Sequence, residues 1–476
     1  MSTELRNFLA IPYDELEEMN LKAKQQRLDR VDPHKIQEER LKYLASESRI
    51  KAVTVMFSDL EGRLHMLDYD KKFLLKNYEN LTFDGSSIRG FTAQRESDLR
   101  LGIDWSAFYW VPADVFGPGK VLVFGDVIDK GGEPYVGDLR GVLKVFAESM
   151  HKKHGYTLNA ANEIEGFLFQ GIDAERTYHQ TFKFEYVNLG GYYHSLPSDP
   201  LRNFIDTTAE VQRAMGFQNE KDHPEVAPSQ FEINYSYAEA VAAADHIQLY
   251  KLVCRQVARN MGHTACFLPK PVVGVNGSGM HTNVSIAKDG KNLFWDPKGE
   301  ENLSKFGYEF MDRVLTHGND LCLVFNSSVN AYRRLDPHFE APNQLRASAV
   351  DRGAMVRIPI GNARSMRTEV RAVAPDANPY LVMYSIFRTG IEGETSKIKN
   401  LRTADRFLPD NIYTAIDNFR KADWTTKLLG EDVKTRYAEL KQASADRCPR
   451  LLGTQIKTAE IQFHHEVYNQ YLWNQF

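Results

Sequence analysis

The chain has 476 residues, of which 42% are hydrophobic and 26% are charged. This composition is typical of a globular protein and excludes a wholly disordered or membrane-embedded chain. The 59 basic and 63 acidic residues leave a formal charge of -4, which argues against a nucleic-acid partner. Because the length exceeds the size at which a single hydrophobic core stops growing, we expect more than one domain.

The four cysteines are scattered and form no C-x-x-C pair. The sequence therefore predicts neither a disulfide framework nor a thiolate zinc site. The first thirty residues are rich in carboxylates, and no apolar run approaches the length of a membrane span. We expect a cytoplasmic protein without a membrane partner.

Three segments follow one another along the chain. Residues 1–48 are rich in Glu, Lys, Arg and Leu, and Pro12 and Pro33 interrupt their helical spacing, which predicts a helical N-terminal arm. This arm could dock on its own chain or on a neighbouring subunit. Residues 49–135 begin with alternating apolar residues and predict a small domain rich in strands. Residues 136–476 mix helical and strand patterns and predict a larger α/β domain.

Two carboxylates, Glu163 and Glu165, are two residues apart in an apolar strand pattern, so both side chains are expected on one face of a sheet. Like charges in an apolar setting raise each other's pKa or are neutralised by a cation, most often a hard divalent ion. A solvated edge strand is the alternative for this pair alone. Residues 219–233 predict a strand, a turn and a second strand, which carry three more carboxylates: Glu220, Glu225 and Glu232.

A further carboxylate, Glu369, lies between Arg367 and Arg371, and the strand period puts all three on one face. Such a face suits a metal ion together with a phosphate, or it forms a cross-strand ladder of salt bridges. Small residues at 277–279 precede His281, so the backbone there can approach a ligand closely while an imidazole is presented.

Three arginines flank residues 340–342, and guanidinium groups bind carboxylates and phosphoryl oxygens in two-pronged contacts. An ordinary role as surface arginines is the alternative. The three are Arg334, Arg352 and Arg357.

Several motifs stand in an order and spacing that is similar to glutamine synthetases, and the chain resembles their bacterial type I branch from about residue 51 onward. The motifs lie at 83–88, 163–165, 269–281, 330–342 and 367–371. The resemblance implies an α+β fold, with a small β-grasp domain followed by a large catalytic α/β domain. It also implies a homo-oligomer, a dodecamer of two stacked hexameric rings, with active sites between subunits.

The resemblance implies that six side chains hold two divalent cations, Mg²⁺ or Mn²⁺, out of two or three in each site. One cation would be bound by Glu165, Glu225 and Glu232, and the other by Glu163, His281 and Glu369.

The resemblance assigns the remaining roles by position. The nucleotide pocket would include Glu220, Ser285 and Arg352, and the substrate-binding residues would be Ser87, Tyr192, Gly277, Arg334 and Arg371. The catalytic residues would be Asp84, Glu340, Arg352 and Arg357. Asp84 would take a proton from ammonium, the Arg352 and Arg357 pair would stabilise the transferring phosphoryl group, and Glu340 would shield the acyl phosphate from water.

The implied activity is ligation of ammonia to the γ-carboxylate of glutamate with ATP as a substrate. Two alternatives stay open. Arg89 closely follows Asp84 and Ser87, which the resemblance places in the pocket for ammonium. The acceptor could therefore be a larger amine or a polyamine. A non-catalytic member of the family should have lost metal ligands, and none is lost. Ala93 occupies the position expected for an arginine switch, and no regulation is predicted, although the long arm could serve ring stacking or control.

Overall fold

The computed structural model describes residues 9–92, 97–194, 198–336, 341–395, 403 and 406–465. Two β-sheets form its framework, one of five strands and one of ten. Of the helices in these ranges, none combines the length and the apolarity of a transmembrane helix.

The described part of the N-terminal arm contains the helices α1 (Tyr13–Leu28) and α2 (Pro33–Ser46). Asp32 starts α2 by accepting a hydrogen bond from the backbone N–H of His34, and proline at the first helical position supports that start. The arm docks on its own chain, which is one of the two alternatives that the composition left open.

The five-stranded sheet has the order β2-β1-β5-β4-β3. Its elements are β1 (Ala52–Ser58), β2 (Leu64–Asp70), α3 (Lys71–Asn77), β3 (Leu81–Asp84), β4 (Asp98–Trp110), α4 (Ala113–Phe116) and β5 (Lys120–Ile128). The first two strands pair antiparallel as a hairpin, and β1 pairs with β5 in parallel.

The ten-stranded sheet has the main order β13-β14-β15-β11-β6-β8-β7, and three short strands pair along its sides. The strands are β6 (Tyr156–Gln170), β7 (Asn219–Pro224), β8 (Gln230–Tyr235), β9 (Ala238–Glu239), β10 (His263–Cys266), β11 (Met280–Lys288), β12 (Lys291–Asn292), β13 (Gln344–Ser348), β14 (Ala354–Arg357) and β15 (Thr368–Val370). The long strand β6 lies at its centre.

Helices cover this sheet, and most of their buried side chains belong to one hydrophobic core. They are α5 (Leu139–His154), α6 (Ala174–Thr181), α7 (Pro200–Ala214), α8 (Ala240–Asn260), α9 (Lys305–Thr316), α10 (Gly318–Phe325), α11 (Val329–Arg334), α12 (Pro379–Glu392), α13 (Ile412–Lys421), α14 (Asp423–Leu429) and α15 (Glu431–His465). The last of these helices is described as far as His465, and residues 466–476 lie outside the described residues.

The arm connects the small sheet to a helix of the larger domain through one buried amide. Asn20 on α1 donates to the carbonyl of Trp110 on β4 and to that of Ala214 at the end of α7, at 2.9 Å each. It also accepts from the backbone N–H of Trp110 at 3.1 Å. Because a buried amide needs such partners, these bonds fix α1 against both halves of the chain.

A second connection is a buried cluster of charges around Arg140 on α5. Its guanidinium binds both carboxylate oxygens of Asp245 on α8, at 2.9 and 2.8 Å. It also reaches Asp104 on β4 at 3.0 Å, and Asp126 on β5. Lys144 binds the same two strand carboxylates, so the cluster joins the small sheet to the helices of the large one.

Replacing Arg140 should therefore destabilise the whole chain. In Arg140→Met, the fully buried Asp245 loses its cation, which costs about 3–5 kcal/mol of unfolding free energy. The matched control is Arg213→Met, because Arg213 pairs with Glu210 on the exposed side of a helix and such pairs contribute less than about 1 kcal/mol. Urea unfolding followed by circular dichroism measures both, and equal losses would contradict the cluster's role.

Candidate functional site

The strand β6 carries the two predicted carboxylates and pairs on either side with a strand that bears another candidate. Glu163 lies opposite His281 on β11, and Glu165 lies opposite Glu232 on β8. The sheet register thus brings together side chains that are far apart in sequence.

The first cluster contains Glu163, His281 and Glu369, whose ligand atoms lie within 4.8 Å of one another. The His281 Nδ1 atom is 3.6 Å from Glu163 Oε2 and 3.7 Å from Glu369 Oε1. Burial and the charge of Arg371 lower the pKa of His281, which keeps the imidazole neutral, as a metal ligand must be. Burial alone would raise the pKa of Glu163, but His281 and the hydrogen bond from Asn283 lower it to about 2.

Glu369 also forms the ladder of salt bridges that was the alternative interpretation. Its two oxygens accept from Arg371 at 2.5 Å and from Arg357 at 3.2 Å. Both interpretations therefore apply to the same carboxylate, which faces a histidine on one side and two guanidinium groups on the other.

The second cluster contains His223, Glu225 and Glu232, and Glu165 faces it. Burial and then the charges of Glu225 and Glu232 raise the pKa of Glu165 well above its usual value. Burial and then Glu232 raise the pKa of Glu225 to about 7, against the opposing charges of His223 and Arg352. These carboxylates repel one another, and a divalent cation with oxygen ligands would relieve that repulsion. The donor sets of both clusters fit such an ion.

The glycine-rich segment before His281 allows the close approach that the sequence predicts. A Cβ atom on Gly279 would lie 2.6 Å from an Arg334 nitrogen and 2.7 Å from His281 Nε2. The backbone N–H of Gly279 donates to Glu165 Oε2 at 2.7 Å. Only a glycine fits between these two groups while orienting the carboxylate. The carbonyl of Gly277 accepts from Gln230 at 3.0 Å.

The three predicted arginines occupy different settings. Arg334 is buried and donates to the carbonyls of Ala372 and Arg371, and burial lowers its pKa to about 10. Arg357 is partly exposed and reaches Glu369. Arg352 lies on the rim of a shallow depression over residues 341–353.

A cavity of about 680 Å³ opens beside the first cluster. Its walls include Glu220 and Ser285, the two side chains predicted for a nucleotide pocket, together with the cluster member Glu163. Asn283 also lines it, donating to Glu163 at 3.2 Å and accepting from Arg367 at 2.9 Å. A ligand in this cavity would thus meet both a cationic side chain and the first cluster.

The loop after β3 presents an exposed carboxylate. Asp84 accepts from the Ser86 and Ser87 hydroxyls at 2.6 and 2.8 Å, and these bonds lower its pKa. Asp84 therefore carries a negative charge at neutral pH. Within the described residues, its side-chain hydrogen bonds all stay inside this loop, away from the ten-stranded sheet. The neighbouring Arg89 is turned towards Glu61, at 3.2 Å.

An aromatic pair borders the second cluster. The rings of Tyr192 and Tyr193 stack at 3.8 Å and share a hydrogen bond of 2.8 Å between their hydroxyls. Tyr193 also packs edge-on against His223, with the ring centres 4.8 Å apart. Two predicted positions, Glu340 and Ala93, lie outside the described residues.

Two residues of this site were not predicted, His223 and Asn283. The sequence singled out carboxylates close to both residues. It could not show that His223 and Asn283 belong to the site, because that depends on the register between strands. His223 lies opposite Glu232, and Asn283 lies opposite Glu369. The alternation of His223 with Glu225 along the chain was the available signal.

Comparisons with known proteins agree on one family. The family model described as "Glutamine synthetase, beta-Grasp domain" matches residues 49–130, and "Glutamine synthetase, catalytic domain" matches residues 136–461. A glutamine synthetase of Methanosarcina mazei is 35% identical over 420 residues, covering 84% of this chain and 92% of that protein. One of Clostridium saccharobutylicum is 34% identical over 424 residues, covering 85% and 94%.

Two solved structures are similar in fold. A Plasmodium falciparum glutamine synthetase has a TM-score of 0.76 at 21% identity, covering 87% of this chain and 96% of its own. A complex of GmaS with ADP has a TM-score of 0.76 at 25% identity, covering 86% and 96%.

The clusters predict that divalent cations stabilise the chain. At a concentration one hundred times its dissociation constant, each Mg²⁺ or Mn²⁺ ion should add about 2.7 kcal/mol to the unfolding free energy, because it binds the folded state alone. Glu369→Gln should lose the gain from the first cluster and keep that from the second, whereas Glu309→Gln, a change of a partly exposed side chain away from both clusters, should keep the whole gain. Thermal unfolding with and without the cation measures the difference, and a full gain in Glu369→Gln would contradict the first cluster.

Proposed function

Because the chain belongs to the glutamine synthetase family, we propose that it is an ATP-dependent ligase that joins ammonia to the γ-carboxylate of L-glutamate. The observation that carries this proposal is the pair of clusters on one sheet, next to Arg357 and to a cavity of nucleotide size. The motif order favours the bacterial type I branch.

The chemistry requires activation of the carboxylate, because hydroxide is a poor leaving group. A γ-carboxylate oxygen of glutamate attacks the γ-phosphorus of ATP, and ADP leaves. The amine nitrogen then attacks the acyl carbon of γ-glutamyl phosphate, inorganic phosphate leaves, and the nitrogen loses its extra proton. This sequence yields the amide, ADP and phosphate, and it needs groups that bind phosphoryl oxygens and hold an amine.

Two or three bound Mg²⁺ or Mn²⁺ ions would supply charge neutralisation for the phosphoryl group. Among the protein's own side chains, Arg352 and Arg357 would bind the equatorial oxygens of the phosphoryl group during its transfer. Arg357 is prepared for this role because Glu369 already orients its guanidinium. Arg334, Arg371 and Gly277 would hold glutamate next to the clusters.

ATP would occupy the cavity lined by Glu220 and Ser285, with its phosphates directed towards Glu163 and Arg367. Arg352, which lines the separate depression over residues 341–353, would reach the same phosphates from there. The likeness to GmaS with ADP supports a nucleotide in this fold.

The ammonium pocket would combine Asp84, Ser87, Tyr192 and Glu225. Asp84 is ionised by its serine hydrogen bonds, so it would attract the ammonium ion and accept its proton. Since the side-chain hydrogen bonds that Asp84 makes within the described residues stay inside its own loop, we propose that it serves a neighbouring subunit, within a cytoplasmic dodecamer of two hexameric rings.

The division into an arm over 1–48, a β-grasp domain over 49–135 and a catalytic domain over 136–476 belongs to the same proposal, and the matched ranges support it. Glu340 would be the residue that shields γ-glutamyl phosphate from water. This role would need a loop that closes over the site.

A related ligase for a larger amine is the second candidate. The Tyr192 and Tyr193 pair favours it, because stacked rings beside Glu225 offer an apolar and electron-rich surface to an alkylammonium group. A non-catalytic role is disfavoured because both clusters keep their ligands.

An amine panel separates these candidates. With saturating ATP, glutamate and Mg²⁺, ammonium should give the highest rate of phosphate release. Methylamine, ethanolamine and a polyamine should give rates at least about tenfold lower, because the pocket would bind the smallest cation best. Glu369→Ala should abolish release with every amine. A higher rate with a larger amine would identify that amine, and not ammonia, as the acceptor. Phosphate release that does not require glutamate would contradict the proposal.

A mixing experiment tests the shared site. Asp84→Asn and Arg357→Ala should each be inactive alone, because each removes a group needed in every site. Subunits of the two variants, reassembled together, should regain activity in about a quarter of the sites, where an intact Asp84 loop meets an intact catalytic sheet. Mixed oligomers that stay inactive would mean that Asp84 acts within its own subunit.

A further inference from the structure

We infer that His223 is a direct nitrogen ligand of the cation bound by Glu225 and Glu232, so that each of the two proposed cations binds one imidazole. The inference rests on the proposed function only in assuming that both clusters bind divalent cations. It adds a ligand to the set of three carboxylates that the sequence predicted for this cation.

The first argument is the tautomer of the ring. His223 is only 5% exposed, and its Nδ1 atom is 3.1 Å from the carbonyl oxygen of Pro224. Because a carbonyl can only accept, we assign the proton to Nδ1, which leaves a lone pair on Nε2. Metal-binding histidines commonly have this arrangement, with the second ring nitrogen donating to a backbone carbonyl.

The second argument is the surroundings of Nε2. This buried atom has no hydrogen-bond partner among the described residues, and Glu232 Oε1 faces it at 3.5 Å. That distance is too long for a good hydrogen bond. Glu232 Oε1 already accepts from Asn234 at 2.7 Å, so a lone pair and a satisfied carboxylate oxygen point at each other. Such a contact is repulsive unless a metal cation or a second proton on the ring lies between them.

The third argument is spacing. One ligand atom from each of His223, Glu225 and Glu232 falls within 4.8 Å of the others. A cation about 2.2 Å from each ligand separates opposite ligand atoms by about 4.4 Å, so small side-chain movements would complete the shell. The ring of Tyr193 packs against His223 and limits its rotation.

A competing interpretation is a simple ion pair, in which a second proton on Nε2 makes His223 an imidazolium between two carboxylates. Burial alone would lower the pKa of His223, but Glu232, the Pro224 carbonyl and Glu225 raise it overall, so protonation competes with metal binding in this cluster. The two interpretations differ in what the ring does when a divalent cation is present. If His223 is an imidazolium, a bound cation would repel the ring and displace it. If His223 is a ligand, its Nε2 atom would bind the cation.

A nitrogen ligand also changes which cation binds. Mg²⁺ prefers oxygen ligands, whereas Mn²⁺, Co²⁺ and Zn²⁺ accept imidazole readily. The second cluster should therefore bind the transition metals more tightly, relative to Mg²⁺, than a site made of carboxylates alone.

The test is metal binding by the full chain without nucleotide or amine. Equilibrium dialysis with Mn²⁺ should show at least about tenfold weaker binding at one of two sites in His223→Gln, with a smaller loss for Mg²⁺. His246→Gln is the matched control. His246 is equally buried and has an unpaired ring nitrogen, but it packs among aromatic rings, so its replacement should leave both metal affinities unchanged.

A second measurement needs no variant. X-ray absorption of the wild-type chain loaded with two Co²⁺ ions should show an average of one imidazole per ion, from His223 and His281. An average of half an imidazole per ion, or unchanged Mn²⁺ binding in His223→Gln, would overturn the inference. Because neither readout involves turnover, a chain that proved inactive with every amine could still bind metal through His223.

Discussion

The central constraint on this structure is the repulsion among carboxylates gathered on one face of a sheet. Glu165 and Glu232 lie directly opposite each other on neighbouring strands, and Glu225 is close enough that burial and mutual charge raise the pKa values of Glu165 and Glu225. A core built only for stability would avoid this arrangement, because isolated buried charges are costly. The cost is offset once divalent cations bind, so folding energy and function are linked at the same residues.

The rest of the chain holds the sheet that carries these carboxylates in place. Arg140 joins three aspartates from two strands of the small sheet and a helix, and Asn20 ties the arm to both halves. Both connections are buried, so each is strong only while all partners are present. The loop that carries Asp84 therefore stands on a small sheet whose position relative to its own catalytic sheet is fixed. That rigidity suits the role proposed for this loop, which is to meet a neighbouring subunit in one geometry.

Much of this arrangement follows from the sequence. The alternation of Glu163 and Glu165 in an apolar run predicted a shared face, and the proline pattern in residues 219–233 predicted two strands, as observed. The roles of His223 and Arg140 could not be predicted, because both arise from register and from packing between distant segments. A buried histidine or arginine in sequence is most often structural, and only its neighbours in space reveal more. The arm's docking surface was likewise undecided until its contacts with Trp110 and Ala214 were seen.

The central claim is that one sheet holds two divalent cations side by side. Its most direct test is a crystal structure with Mn²⁺ and a non-hydrolysable ATP analogue, with data collected at the manganese absorption edge. The account predicts two anomalous peaks, one among Glu163, His281 and Glu369 and one among Glu165, Glu225 and Glu232. Anomalous peaks elsewhere, or an ordered site whose carboxylates bind no manganese, would contradict it.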